Sequence, residues 1–248
     1  MIRRYSLALT ALLVMGAAQA QPLPEPPPGQ PFCAYPAPGK VIFHGTTEAL
    51  AACLDGAHEQ TIAELRITSP GGDAATTLKL ADRYAGRIGH LIVDQRCTGT
   101  CATYIVPTAA RLTVLPQSFL IVHGAFDAER LIDKMKALQT AYERQHPGKA
   151  VALSPSEPEV WAIDKEQDDF SRRWLSCPEW LHPDSLTNSA TLAKRLPQTP
   201  AEKIRAYIVS RSMATRCLKQ TRLADYWSAA GAGDIPAPLQ LQGIVQIP

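Results

Sequence analysis

The chain has 248 residues, 25 basic against 23 acidic side chains, 6% aromatics and six cysteines. A formal charge of only +2 provides no basic stripe for nucleic acid and no polybasic patch for anionic lipid, which excludes both partner classes. The length suffices for one sizeable core, or for one domain with an appendage.

Residues 1–20 read as a signal peptide. Arg3 and Arg4 begin it, an apolar run of about 13 residues follows from Ser6 to Ala18, and Ala18-Gln19-Ala20 supplies small residues for cleavage. The run is shorter than the roughly 20 residues a membrane helix needs, so no membrane anchor is expected once cleavage makes Gln21 the first residue. Loss of Arg3 and Arg4 then balances the acidic and basic side chains. The expected location is periplasmic or secreted.

In that oxidising setting an even number of cysteines reads as disulfides. The expected pairs are Cys33 with Cys53, Cys97 with Cys101, and Cys177 with Cys217. Neither two CxxC pairs nor an HxxxH helix occurs, so no metal site is expected, and no motif calls for a cofactor.

Prolines crowd residues 21–39, which read as an extended leader outside any sheet interior. Folding is expected from Lys40, with a strand at 41–43 and a helix through Leu54 capped by Thr47. A strand at 65–69 follows, halted by Pro70-Gly71-Gly72-Asp73, then an amphipathic helix over 74–87. The apolar run Leu91-Ile92-Val93 marks a strand at 90–94 covered on both faces. A short helix at 102–108, strands at 112–115 and 119–122, and an amphipathic helix at 128–145 come next.

This alternation predicts an α/β fold with a mostly parallel sheet, its core at 40–146. Residues 147–248 read as a mainly helical C-terminal extension. Its helices are expected at 158–174 and 201–213, with a last strand in 239–247.

Three features carry potential chemistry, in a fixed order. Ser69-Pro70-Gly71-Gly72 turns from strand to helix and exposes main-chain N–H groups. Cys97-Thr98-Gly99-Thr100-Cys101 links a buried strand to a helix N-terminus, where neighbouring N–H groups can cradle an oxyanion. His123 leaves an apolar strand and can serve as a general base.

Together these segments resemble the ClpP protease family, and more closely its exported bacterial relatives with a Cys-x-Ser-x-Cys segment after Ser-Pro-Gly-Gly-Asp. The resemblance covers Lys40 to about His123, a third of the chain. It implies a ClpP/crotonase-like fold of repeated ββα units, with Gly72 and the residue after the nucleophile donating to an oxyanion and His123 as base. The cysteine register puts Gly99, which has no nucleophile, at the serine position. The spacing to the histidine puts Thr100 there instead, with Cys101 as the second oxyanion donor.

The family's acid should follow the long helix, where Asp164, Asp168 and Asp169 lie, and Asp168 is taken for it. The strong charge of 162–169 also suits a solvated helix face. Two functions stay open: an exported serine/threonine-type peptidase or related hydrolase using Thr100, His123 and Asp168, and an inactive ClpP-fold protein whose cleft binds a peptide or protein partner. Because ClpP-like domains commonly close into rings, the resemblance is also compatible with a homo-oligomer.

Overall fold

The computed structural model describes residues 30–57, 61–124, 126–149, 151–152, 154–181, 206–227 and 244–246. The expected signal peptide and the first part of the leader lie outside the described residues.

Alternation along Glu64–Ser69 (β3) explains its place. Leu65, Ile67 and Ser69 are buried, while Arg66 and Thr68 are half-buried on the opposite face. Lys40–His44 (β2) repeats the pattern and pairs in parallel with β3, Val41 opposite Leu65 and Phe43 opposite Ile67. On the other side of β3 runs Leu91–Thr98 (β4), also parallel, with Leu65 opposite Leu91.

β4 then serves two neighbours. Its first half pairs with Arg111–Val114 (β5) and its second with Phe119–Val122 (β6), all in parallel. The division falls at Gln95, whose φ is 64°. The register jumps there from Ile67↔Val93 to Ser69↔Cys97, so β4 carries extra residues that bend it from one partner to the next.

Helices cover one face. Thr47–Gly56 (α1) and Ala74–Tyr84 (α2) bury Leu50, Leu54, Leu78 and Leu80 against it. The α1 cap residue is Thr46, and Thr47 is the first helical residue. α2 stops at Tyr84, short of the expected Arg87, because Gly86 enters the left-handed region at φ 69°. Ala128–Gln145 (α3) packs on Glu157–Trp174 (α4) through Ile132, Met135 and Val160.

Two further expectations need correction. Phe32–Ala37 (β1) lies inside the expected leader, yet pairs antiparallel with β2 at the edge of the sheet. An edge strand tolerates Pro36 because the proline lies where the ladder shifts between Ala34 and Ala37, and Cys33–Cys53 anchors the strand to α1.

The second concerns the C-terminal extension, expected to be mainly helical, whose described residues also contribute three strands to the same sheet. Where a helix was expected at 201–213, Ala206–Ile208 (β7) pairs antiparallel with β6. Its three residues are all buried, so they have no amphipathic periodicity to sustain a helix. The helix begins later, at Arg211–Cys217 (α5), where the Ser210 hydroxyl accepts the Met213 N–H at 3.2 Å. Arg222–Tyr226 (β8) extends the sheet beyond β5, and Ile244–Gln246 (β9), within the expected last strand, extends it beyond β7.

Core and extension therefore share one sheet, nine-stranded among the described residues. All six cysteines are paired as expected, with Cα separations of 5.7, 5.4 and 5.0 Å in chain order. Such pairing is the chemistry of a non-cytoplasmic, oxidising space. Among the described residues no helix is long and apolar enough to cross a membrane.

Candidate functional site

Three adjacent parallel strands, β3, β4 and β6, end on the same edge of the sheet. Ser69, Cys97 and Leu120 lie in register, as do Thr98 and Ile121. The segments leaving this edge are Pro70–Asp73, Gly99–Cys101 and His123. Carboxyl ends of parallel strands are where open α/β sheets bind ligands, since the helices leave a crevice there.

The first loop is clamped from several directions. The Gly71 N–H donates to Ser69 Oγ at 3.1 Å, and the Gly71 carbonyl accepts the Thr47 N–H at 3.2 Å. The Asp73 N–H donates to the Glu48 carboxylate, and Asp73 caps α2 by accepting the Thr76 N–H at 2.7 Å. Desolvation is the largest influence on the Glu48 carboxyl and raises its pKa. Hydrogen bonds from the Asp73 N–H, the Thr46 hydroxyl and the Glu48 N–H nevertheless together hold it below the usual value. The Gly72 N–H, the expected oxyanion donor, points at Thr100 Oγ1 from 2.8 Å.

Thr100 is thereby committed. Its hydroxyl also lies 3.3 Å from the Gly72 carbonyl and 3.4 Å from Thr47 Oγ1, which in turn meets Thr77 Oγ1 at 2.6 Å. Gly71 shows how closely the loops approach. At φ 89°, a Cβ on it would meet the Thr98 carbonyl oxygen at 2.6 Å.

Gly99 differs. Its N–H continues the ladder to the Ile121 carbonyl at 2.8 Å, and φ is 56°. A Cβ there would find nothing nearer than the Pro70 carbonyl oxygen at 3.9 Å, so open space lies above this residue. Cys101 is fully buried, bonded to Cys97, and begins a π-helical turn, Cys101–Ile105, a form often found beside functional sites.

His123 is exposed at its rim, yet desolvation by its surroundings lowers its pKa below the ordinary histidine value. Among the described residues no hydrogen bond or ion pair reaches the imidazole. Asp168 is exposed on α4, and no contact joins it to His123 among those residues. Asp169 pairs with Arg172, and Asp164 acts electrostatically on Tyr104.

The α4 residue that reaches towards this region is Gln167, 2% exposed. Its Oε1 accepts the Tyr104 hydroxyl and the Phe126 N–H, the latter at 2.9 Å, while Nε2 donates to the Phe126 carbonyl at 3.0 Å. Gln167 so ties the π-helical turn to the segment that follows His123. A signal for it exists in the sequence: Val160, Ile163, Gln167, Phe170 and Trp174 recur at spacings of three and four, which puts Gln167 on the buried stripe of a helix otherwise read as solvated. Thr47 and Glu48 had no such signal, because their partners are 25 to 53 residues away.

No protein-family model and no curated protein matches this chain.

Proposed function

We propose that this exported protein uses a ClpP-like cleft, silent as a hydrolase, to bind an extended peptide or a protein segment. The observation that carries the reading is the commitment of the Thr100 hydroxyl to the Gly72 N–H at 2.8 Å. A nucleophile must be free to attack and an oxyanion donor free to receive charge, and here each consumes the other. Gly99, the other residue at the nucleophile position, has no side chain. The absence of a carboxylate on His123 among the described residues points the same way, since a base of this kind is normally oriented by a third group. The open space above Gly99 suits a partner whose main chain approaches closely.

The test has two arms. A fluorophosphonate probe should leave the wild type unlabelled, and labelling at Thr100 that His123→Ala abolishes would establish a hydrolase instead. In the second arm, a library of unstructured hexapeptides is titrated into the ¹⁵N-labelled protein. Saturable shifts confined to Gly71, Gly72, Gly99 and His123 are expected, and no saturable shift with any pool would remove the binding reading.

A further inference from the structure

A polar cavity lies beside the β4 bulge and the start of β6. It has a volume of about 320 Å³ and is lined by Asp94, Gln95, Arg96, Pro116, Gln117, Ser118 and Phe119. Phe119 opens β6 and His123 follows its end, so this cavity is about 13 Å from the cleft at the rise of a strand.

Two of its lining residues occupy backbone conformations that side chains disfavour. Gln95 has φ 64° in the β4 bulge. Gln117 has φ 61° at the third position of a turn that the Ser118 N–H closes onto the Leu115 carbonyl at 3.0 Å, with Pro116 second. Such a turn ordinarily takes glycine or asparagine at that place. The Gln95 N–H also donates to Ser118 Oγ at 2.8 Å, which locks bulge and turn together. Glycine would fill both positions without strain, so two long amides held there against their preference call for a use of the side chains.

The charges are arranged for a ligand with both signs. Arg66 Nε and Nη2 both reach Asp94 Oδ2, at 2.9 and 2.8 Å, and no described residue engages Oδ1. Arg96 is exposed, and its guanidinium makes no ion pair or hydrogen bond with any described residue. Another cavity, about 340 Å³ beside Tyr35 and Lys40, lacks this character. Its Lys40 ammonium is paired with Glu64 at 3.7 Å and its Tyr35 hydroxyl is bonded to the Cys53 carbonyl at 2.6 Å.

We propose that the Asp94–Arg96 cavity binds a small zwitterion of the amino-acid type. Its carboxylate meets the planar fork of Arg96, its ammonium meets Asp94 Oδ1, and the amides of Gln95 and Gln117 contact its body. The volume lies at the lower end of the range for small-molecule pockets, as a ligand of that size requires.

The free L-amino acids, one at a time, serve as the probe, titrated into the purified ¹⁵N-labelled full chain with its disulfides formed. At least one should give saturable shifts at Gln95, Arg96 and Gln117. Amidating that amino acid's carboxylate, or making Arg96→Met at this exposed position, should weaken binding about tenfold or more. Gln117→Gly should weaken binding while raising the melting temperature, a combination that a purely structural glutamine does not give. The proposal falls if no amino acid shifts these resonances saturably, or if Arg96→Met and Gln117→Gly bind as tightly as the wild type.

Discussion

The Gly72 N–H and the Thr100 hydroxyl satisfy one another across 2.8 Å, joining the loop after β3 to the loop after β4. Thr100→Val keeps the shape and removes the acceptor. Gly72 is exposed, so water replaces the lost partner and the cost should be about 1 kcal/mol. Denaturant unfolding measures that loss, and amide exchange at Gly72 should quicken while exchange at Gly71, held by Ser69, does not. Unchanged exchange at Gly72 would mean that the two groups are not paired in solution.

The two glycines Gly71 and Gly99 separate strain from crowding. Both have positive φ, but only Gly71 faces backbone at close range. Gly99→Ala should cost about 1 to 2 kcal/mol, the price of the left-handed region alone. Gly71→Ala adds an unavoidable clash with the Thr98 carbonyl and should cost roughly 2 to 5 kcal/mol. Thermal or denaturant unfolding of the two variants decides the order, and an equal cost would show that the loops are free to separate.

The core was readable because its signals are local. Leu91-Ile92-Val93 and Phe119–Val122 are too apolar for anything but buried strands, and Ala128–Gln145 has the expected bounds because its stripe repeats over five turns. What failed was non-local. Nothing near Phe32–Ala37 announces that β2 will pair with it, so its prolines dominated the reading. Ala206–Ile208 is short, and its place is set by β6, more than eighty residues earlier. At the site, the meeting of the three segments followed from strand order, whereas the direction of the Thr100 hydroxyl depends on Thr47 and Gly72 and could not be read from spacing.

Gln167 offers a test of the buried network behind the site. Gln167→Leu leaves the Tyr104 hydroxyl and both main-chain groups of Phe126 without their partner. Several unsatisfied groups in one half-buried region should cost about 3 kcal/mol or more, whereas Asp168→Asn on the exposed face should stay within about 0.5 kcal/mol. A double-mutant cycle with Tyr104→Phe isolates the hydroxyl's share, and its coupling with Gln167 should be well above zero. Loss of stability in Asp168→Asn matching that in Gln167→Leu would reverse the assignment of which α4 residue matters.

His123 gives a pH signature with a definite sign. Desolvation lowers its pKa in the folded chain below the 6.5 of an unhindered histidine, and the same cause leads the lowering at His44 and His90. Between the two values the unfolded chain binds more protons, so stability is complete above about pH 6.5 and declines as pH falls towards the folded-state pKa. His123→Asn should flatten part of that decline. Titrating the imidazole resonances by NMR reads the site directly. A carboxylate partner would stabilise the imidazolium and lift the His123 midpoint above 6.5, as in a working triad. A midpoint below 6.5 is expected here, because desolvation acts on His123 and no carboxylate among the described residues reaches it.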